Sequence, residues 1–593
     1  MVEKLAVIDI ETSGLDFTKN IILGIGIWVG DKGKYFTDQA EAKRAIDRLI
    51  SLGYEFAAHN QKFDWKFLAK AGIISHPFRF HYDAKIAVPL LLEKSGSNSL
   101  ENMASFYNRT LPWKDAVAHK NIINEDPQIV EDYCLKDCEE TYKLVQTIVR
   151  LLKEQGQYDF YKTRLMPLDS LLCYASYLGV RIDPEEIDRQ LLEYEAKIKA
   201  KCGAIRTKYI DQFRPFETLQ IAAKTAKFKS DKGRKAAEAR LSEENLTHKA
   251  LNSPKQLLSL LKDYFGIDMR DRDGEPSTGD DALFLAAKHP IVQDIMEYRD
   301  LVKPTQFFEQ WKSHSEGDGR IHPEFNVDIA RTGRLSCSGP NLQQIPTRAD
   351  SNIKNCFVAD PGQSFVTKDL SQIEPRFLAH YSQDPKLLQV YREGLSLYGA
   401  SARELKLWDG HPNELKAKDP LIYNGAKTIV LAILYGMGSR KLSFELEKSA
   451  GLKYSVKECR TFIDLFFQQF SGLANLRFHA SRRALERGYL TNFFGRRVFV
   501  PRERAEMVSM NTLIQSSASD FMAMLQLYQQ KDVDQLGAKL LLLIHDEEIY
   551  QVEDANAEAL NKLLELKAIE FGQTLGIRVP TITEGGIKKT LAK

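Results

Sequence analysis

A chain of 593 residues that is 43% apolar and 27% charged is long enough for several folded domains, and its composition excludes intrinsic disorder. Its net charge of +2 gives no argument for a nucleic-acid partner, so any such argument has to come from where the basic residues lie. Seven scattered cysteines point to reduced thiols of an intracellular protein. There is no apolar run of bilayer length, no internal repeat, and no secretory or transit-type segment before the first strand pattern, which points to a cytoplasmic chain with no membrane partner.

The first strand pattern is Leu5-Ala6-Val7-Ile8-Asp9-Ile10-Glu11. Asp9 and Glu11 are two apart, so on a strand they share a face, where two carboxylates repel unless a cation lies between them. A helical stretch follows from Ala40 to Leu52, then AAHNQKFDWKFL with Asn60, Phe63 and Asp64. Further on, EDYCLKDCEETYKL places Tyr133 and Asp137 at i and i+4 on one helix face. Cys134 and Cys138 flank Asp137, with no second pair to complete a zinc site. Asp83 stands where a helix begins and reads as an N-cap.

In this order, DxE, NxxFD and YxxxD resemble the DEDD 3′–5′ exonucleases, in their tyrosine-bearing subgroup. The resemblance implies a ribonuclease-H-like domain over residues 1–155. It implies that Asp9, Glu11, Asp64 and Asp137 hold two metal ions, that Tyr133 orients the attacking water, and that Asn60 supports the site.

Residues 156–320 read as a helical thumb and its connection to a palm. Asp183-Pro184-Glu185-Glu186 is a helix start, and Ile187, Leu191, Tyr194, Ile198 and Ile205 continue at helical spacing. The run KTAKFKSDKGRKAAEAR gathers Lys224, Lys227, Lys229, Lys232, Arg234, Lys235 and Arg240; it reads equally as a solvated loop or as a tip that grips phosphates. LNSPKQLLSLLKDYFGI is another capped amphipathic helix, and more helix follows up to Lys303.

In the C-terminal half, Phe365-Val366-Thr367-Lys368 is a short strand that ends at Asp369, and a helix starts near Pro375. The stretch KLLLLIHDEEIYQV, Lys539 to Val552, is an apolar run, a polar tip and an alternating return. It reads as a β-hairpin that carries Asp546 and Glu547 at its tip. Two strands side by side, each ending in Asp, would hold two Mg²⁺ ions for an in-line phosphoryl displacement, with Mn²⁺ as a substitute. Between them, Asp419-Pro420 starts a helix on which Lys427, Leu431 and Tyr435 recur at i, i+4 and i+8 and share a face.

TGRLSxxxPNLQQIP from Thr332, DLSQIEPR from Asp369, KTIVLAILYG from Lys427 and HDE at His545 together resemble proofreading family A DNA polymerases, of the DNA polymerase I type without a 5′ nuclease domain. NSPKQL, Ser277-Thr278 and Tyr298 to Lys303 are similar to the corresponding thumb segments. The resemblance implies an α/β multidomain chain: the exonuclease, the thumb, a right-hand palm at 321–380 and 501–593, and fingers at 381–500. Asp369 and Asp546, with Glu547 beside them, would hold the palm metals. Glu374 would exclude a ribose 2′-OH, and Gln372, Lys427, Leu431, Tyr435 and Tyr398 would line the dNTP. Arg334, Asn341, Gln343, Asn511, Gln515 and His545 would contact primer–template, with Arg496 and Arg497 on phosphates.

This sequence departs from the family pattern at three positions. Leu431 replaces an aromatic residue, which puts discrimination against dideoxynucleotides in question. Tyr423 stands for an expected arginine, and Tyr398 for a histidine that often contacts triphosphate. Arg376, Lys418 and Arg440 are the candidates to supply the lost contacts. The resulting expectation is a monomeric, Mg²⁺-dependent DNA polymerase with 3′–5′ proofreading that acts in replication. It looks like a phage or other viral replicase acting in host cytoplasm, or an organellar enzyme with its transit segment trimmed. A helicase or single-strand-binding protein as partner is not identifiable from the residues. The competing readings are a stand-alone exonuclease, a single-subunit RNA polymerase and a non-catalytic DNA-binding scaffold.

Overall fold

The computed structural model describes residues 2–91, 98–113, 125–226, 243–345 and 351–592. Most of the basic run, Lys227 to Arg240, lies outside the described residues, as does Pro346. By its contacts the chain divides into two compact units. One comprises Met1–Arg181, Arg320–Gln344 and Ala359–Lys589; the other comprises Ile182–Gly319, Ile345–Val358 and Thr590–Lys593.

Among the described residues, the first unit contains two larger sheets and three two-stranded ones. The N-terminal one has the order β3-β2-β1-β4-β5, built from β1 (Leu5–Thr12), β2 (Ile22–Val29), β3 (Lys32–Phe36), β4 (Glu55–Ala58) and β5 (Tyr82–Asp83). β1 runs antiparallel to β2 and parallel to β4. As a central strand it is buried on both faces, which is why its sequence is a nearly continuous apolar run. Helices α1 (Gln39–Ser51), α2 (Gln61–Lys70) and α3 (Pro127–Glu154) accompany the sheet. α3 begins at a capping Asp126 followed by Pro127, and its apolar face is buried through Val130, Leu144, Val145 and Ile148. Ile8, Ile10, Ile25, Phe56, Trp65 and Leu68 form the core beside β1 and α2; each such burial contributes about 1.5–3 kcal/mol. Helix α4 (Met166–Leu178) leads out of this layer to β6 (Val180–Arg181), which pairs with β7 (Arg320–Ile321).

The second sheet has the order β13-β14-β10-β15, all antiparallel, from β10 (Gln363–Leu370), β13 (Lys539–Ile544), β14 (Glu547–Glu553) and β15 (Thr583–Lys588). Two small hairpins complete the strands: β8 (Glu324–Asn326) with β9 (Ser336–Ser338), and β11 (Tyr489–Thr491) with β12 (Arg497–Phe499).

The second unit is helical. α5 (Pro184–Lys208) is capped by Asp183, whose carboxylate accepts from the amides of Glu185 and Glu186. α6 (Pro254–Phe265) is capped by Ser253, and α7 (Pro290–His314) closes the bundle. Ile205, Phe213, Phe216, Leu257, Leu260, Ile295 and Tyr298 make its core.

In the first unit, four helices carry residues that matter below: α8 (Ile373–Ser382), α9 (Leu397–Glu404), the short α10 (Leu415–Lys418) and α11 (Pro420–Leu434). The Asp419 carboxylate accepts from the Ile422 amide and starts α11, as its Asp-Pro pair predicts. α11 is followed, after its capping Tyr435, by Gly436, whose φ is 65° and where a Cβ would lie 2.0 Å from the Met507 carbonyl oxygen, so only glycine fits. α12 (Ala505–Gln535) reaches Glu548 of β14 through Gln526 and Gln529, and α13 (Ala557–Thr574) packs on β10, β14 and β15.

Candidate active sites

The second sheet brings distant carboxylates to one edge. In the register of β10 with β14, Asp369 faces Glu547, and the Leu370 amide donates to the Asp546 carbonyl at 2.9 Å. Asp546 sits in the tight turn between β13 and β14, which His545 enters with φ 57°. Burial pushes the Asp546 carboxyl up to about 7, and the charges of Glu374 and Asp369 add to the effect. On β15, Glu584 faces Asp369 in register, a carboxylate that sequence reasoning missed because the strand resembles no motif. Residues one position along the strands point to the other face. There Lys368 pairs with Glu565 of α13, and buried Glu548 accepts from the carboxamides of Gln526 and Gln529.

Glu374, in the first turn of α8, is held from two sides: the Arg334 guanidinium donates to one carboxylate oxygen and the Tyr435 hydroxyl to the other, the latter at 3.1 Å. Arg334, Gln343, Glu374, Gln515, His545 and Asp546 all line one cavity of about 270 Å³. His545 and Gln343 are joined through the Gln343 carbonyl, and Asn341 accepts from the Gln343 amide. Asn511 is half-buried one helical turn before Gln515 and is not among the residues lining the cavity. Lys427 and Tyr435 are exposed and Leu431 half-buried, whereas Ile429, Val430, Ile433 and Leu434 are buried, so the outward stripe of α11 is the one its sequence spacing predicts.

Arg496 requires a correction. It is buried and ion-paired with fully buried Asp520, Nη2 to Oδ1 at 2.8 Å and Nε to Oδ2 at 2.9 Å, and cannot serve as a phosphate contact on the surface. Arg497 is likewise turned to protein groups, the side chain and carbonyl of Gln155.

At the N-terminal sheet, ligand atoms of Asp9, Glu11 and Cys134 lie within 4.8 Å of one another. α2 carries buried Asp64, whose carboxyl is pushed well up by burial and by the charge of Asp9. α3 carries Tyr133 and Asp137; burial raises the tyrosine hydroxyl, and Asp137 and Glu11 raise it further. The structure thus gathers the DxE, NxxFD and YxxxD residues at one end of β1. Asp83 accepts from the amides of Asn60, Gln61 and Lys85, which makes it a cap at the starts of helices and places it behind the cluster. Two neighbours were not foreseen. The Trp113 indole donates to Asp137 at 2.7 Å, and the Cys134 thiol donates to Asp9 at 3.6 Å. Trp113 lies outside every motif; Cys134 stands in the sequence as one of the pair flanking Asp137 that completes no zinc site.

The donor sets of both sites are oxygen-rich, and in each the like charges of neighbouring carboxylates raise one member. That is the arrangement a hard divalent cation relieves, so the residues fit one.

The fold matches the solved POL domain of Pol1 from M. smegmatis, in complex with DNA primer-template and dNTP. The TM-score is 0.80 at 21% identity, over 99% of this chain and 96% of that one. The fold is therefore a polymerase fold. Residues 221–593 match DNA polymerase family A, and the chain belongs to that family. Among its relatives, the thermostable DNA polymerase I of Thermus aquaticus is 36% identical over 53% of this chain and 38% of its own length. The DNA polymerase I of Chloroflexus aurantiacus is 30% identical over 86% of this chain and 52% of its own length. That of Bacillus subtilis is 25% identical over 94% and 60%. The chain spans about half the length of these relatives. Among the described residues, no helix is long and apolar enough to cross a membrane.

Proposed function

We propose that the chain extends a DNA primer on a template with dNTPs and, at a second site, removes mismatched 3′ ends. The observation that carries the first part is the pairing of β10 with β14, which puts Asp369 and Glu547 opposite one another beside Asp546. Asp369 and Asp546, with Glu547, would hold divalent cations, Mg²⁺ by their hard oxygen donors. When bound, these supply Lewis-acid activation of the attacking hydroxyl and charge neutralisation of the phosphates.

The protein's own residues do the rest. Glu374, locked by Arg334 and Tyr435, presents a fixed wall to the sugar, where a 2′-hydroxyl meets a carboxylate that cannot move aside. Lys427 brings a positive charge to the outward face of α11, where a triphosphate would lie. Gln343, Gln515 and His545 line the cavity beside Asp546 and offer donors to the minor-groove acceptors, which are nearly the same for every correct pair.

Excision is proposed for residues 1–155. Asp9, Glu11, Asp64 and Asp137 would hold cations there, and the Tyr133 hydroxyl, kept protonated by its surroundings, orients water. The presence of these acids together at one end of β1 favours this second activity over a bare DNA-binding role. The palm is taken as 321–380 and 501–593, the fingers as 381–500, and residues 156–320 as the thumb. We further propose a replicative role, in host cytoplasm for a phage-like source.

The test is extension of matched and mismatched primers with dNTPs and Mg²⁺. Wild type should trim the mismatch and then extend. Asp546→Asn should trim without extending, and Asp9→Ala should extend matched primers without trimming. Extension by Asp546→Asn at the wild-type rate would refute the assignment of the synthesis site.

A further inference from the structure

A cavity of about 540 Å³ opens beside the loop that follows Asp369. Ser371 and Gln372 form its inner wall; Arg376, Arg392 and Lys416 contribute three cationic side chains, and Glu584 one carboxylate, which accepts from the Ser371 hydroxyl at 2.9 Å. The balance is positive, as for an anion site. Among the described residues nothing hydrogen-bonds the buried Oε1 of Gln372, the residue that leads into α8 and Glu374. A side-chain amide in that position is free to present its NH₂ to a ligand, since its O and N ends are interchangeable in such an environment.

The cations of this wall are not equivalent. Arg376 is buried and donates Nε to the Ser371 carbonyl and Nη1 to the Pro580 carbonyl, so it fastens the loop to the C-terminal segment. Lys418 is paired with Glu414 at 2.8 Å. Arg440 lies past the far end of α11, about 16 Å of helix beyond Tyr423. Lys416 differs: among the described residues it has no carboxylate partner, and its ammonium stands over the ring of Tyr423 at 5.9 Å. Lys427 stands in the same way over the ring of Tyr398, also at 5.9 Å. The two rings pack edge to face, with centroids 5.6 Å apart at 87°. The tyrosine pair therefore holds two ammonium groups by their cation–π faces and leaves their donors unspent.

We propose that Lys416, held by Tyr423 at this cavity, binds a polyphosphate chain. This rests on the polymerase reading above and adds a phosphate-binding residue to it. The ligand is either the triphosphate of the incoming nucleotide or the pyrophosphate it releases. Tyr423 has no charge of its own, and the cation beside it at this wall comes from α10.

The test compares wild type, Lys416→Met and Lys418→Met, each as the full chain with primer–template. Inorganic pyrophosphate binding, by titration calorimetry, should weaken roughly tenfold in Lys416→Met and stay within about twofold in Lys418→Met, since one charge-assisted contact is lost in the first alone. In steady-state extension, a KM for dNTP that rises by a similar factor at nearly constant kcat identifies the incoming triphosphate. Weakened pyrophosphate binding at an unchanged KM identifies the released product. Pyrophosphate affinity and KM both equal to wild type in Lys416→Met overturn the inference. Because pyrophosphate binding is read without turnover, a wild-type chain that binds it but extends no primer fails the polymerase reading alone.

Discussion

Arg496 offers a sharp test, because a buried ion pair and a phosphate contact respond oppositely to its removal. The guanidinium makes three hydrogen bonds to Asp520, and the Asn492 carboxamide adds one at 2.6 Å. It also lies over the ring of Phe160 at 4.7 Å and presses on Gly333, where a Cβ would sit 2.7 Å from its Nε. Arg496→Met removes the one cation that, among the described residues, pairs with a carboxylate that has no solvent exposure. Breaking such a pair from one side costs about 3–5 kcal/mol, against about 0.5 kcal/mol or less for an ordinary surface change. For a cooperative unit as large as the one that holds both residues this is a fall of roughly 3–5 °C in the melting midpoint. Arg496→Met with Asp520→Leu should recover most of the loss, since both charges are then gone. DNA affinity measured against salt should keep its slope, whereas losing a phosphate contact lowers the slope by about one. A midpoint within about 1 °C of wild type, together with a slope reduced by one, would refute the buried-pair account.

Asp546 should make the metal requirement pH-dependent. Its carboxyl is held up at about 7, so a proton competes with the cation below that pH, and the half-saturating Mg²⁺ for extension should rise about five- to sixfold between pH 7 and pH 6. The folded chain holds a proton here that the unfolded chain releases near its ordinary value. Metal-free protein should therefore lose stability from this group as pH rises from about 4 to about 7, and Asp546→Asn should flatten that slope; an unchanged slope would show that the carboxyl is not raised. Glu374→Ala should lower the preference for dNTP over rNTP in kcat/KM by tenfold or more, because the carboxylate held by Arg334 and Tyr435 is gone. An unaltered ratio would remove Glu374 from sugar selection.

Much of both carboxylate clusters was legible because each acid marks an element with a clear period. Asp9 and Glu11 interrupt a buried strand, and Asp546 and Glu547 close an apolar run at a turn. Tyr133 and Asp137 sit four apart on a helix of 28 residues. The stripe Lys427, Leu431, Tyr435 follows from helical geometry alone. What was not legible depends on partners far along the chain. GRRVFVP looks the same whether its first arginine meets DNA or a buried carboxylate, and the deciding residue, Asp520, lies 24 positions on, in the middle of another helix. Of the phosphate candidates Arg376, Lys418 and Arg440, the first two are engaged by protein groups, which no local pattern reveals. Lys416 emerges only once α10 and α11 are seen to pack Tyr423 between them and the cavity. The basic run from Lys227 stays open between solvated loop and phosphate grip, since it lies outside the described residues.

Helix α2 shows how one short segment serves two purposes. Asp64 faces the acids of β1, while Lys62 and Lys66, four apart, project from another side. Lys62 pairs with Asp169 of α4 at 2.6 Å and donates to the Phe325 carbonyl of β8; Lys66 pairs with Glu324 of the same strand. An isolated buried ammonium is costly; Lys62 is satisfied in full only if α2, α4 and β8 are in place together, and Lys66 needs α2 against β8. β8 in turn pairs with β9, where Asn326 faces Ser336, two residues after Arg334. The helix that carries an acid of the N-terminal cluster is thus fastened to the hairpin next to the arginine that holds Glu374. Together with the packing of α4 against β13 and α12, this ties residues 1–181 and the second sheet into one compact unit. The motif NxxFD accounts for the acid, but the lysines on either side of it are what tie that acid's helix to the hairpin.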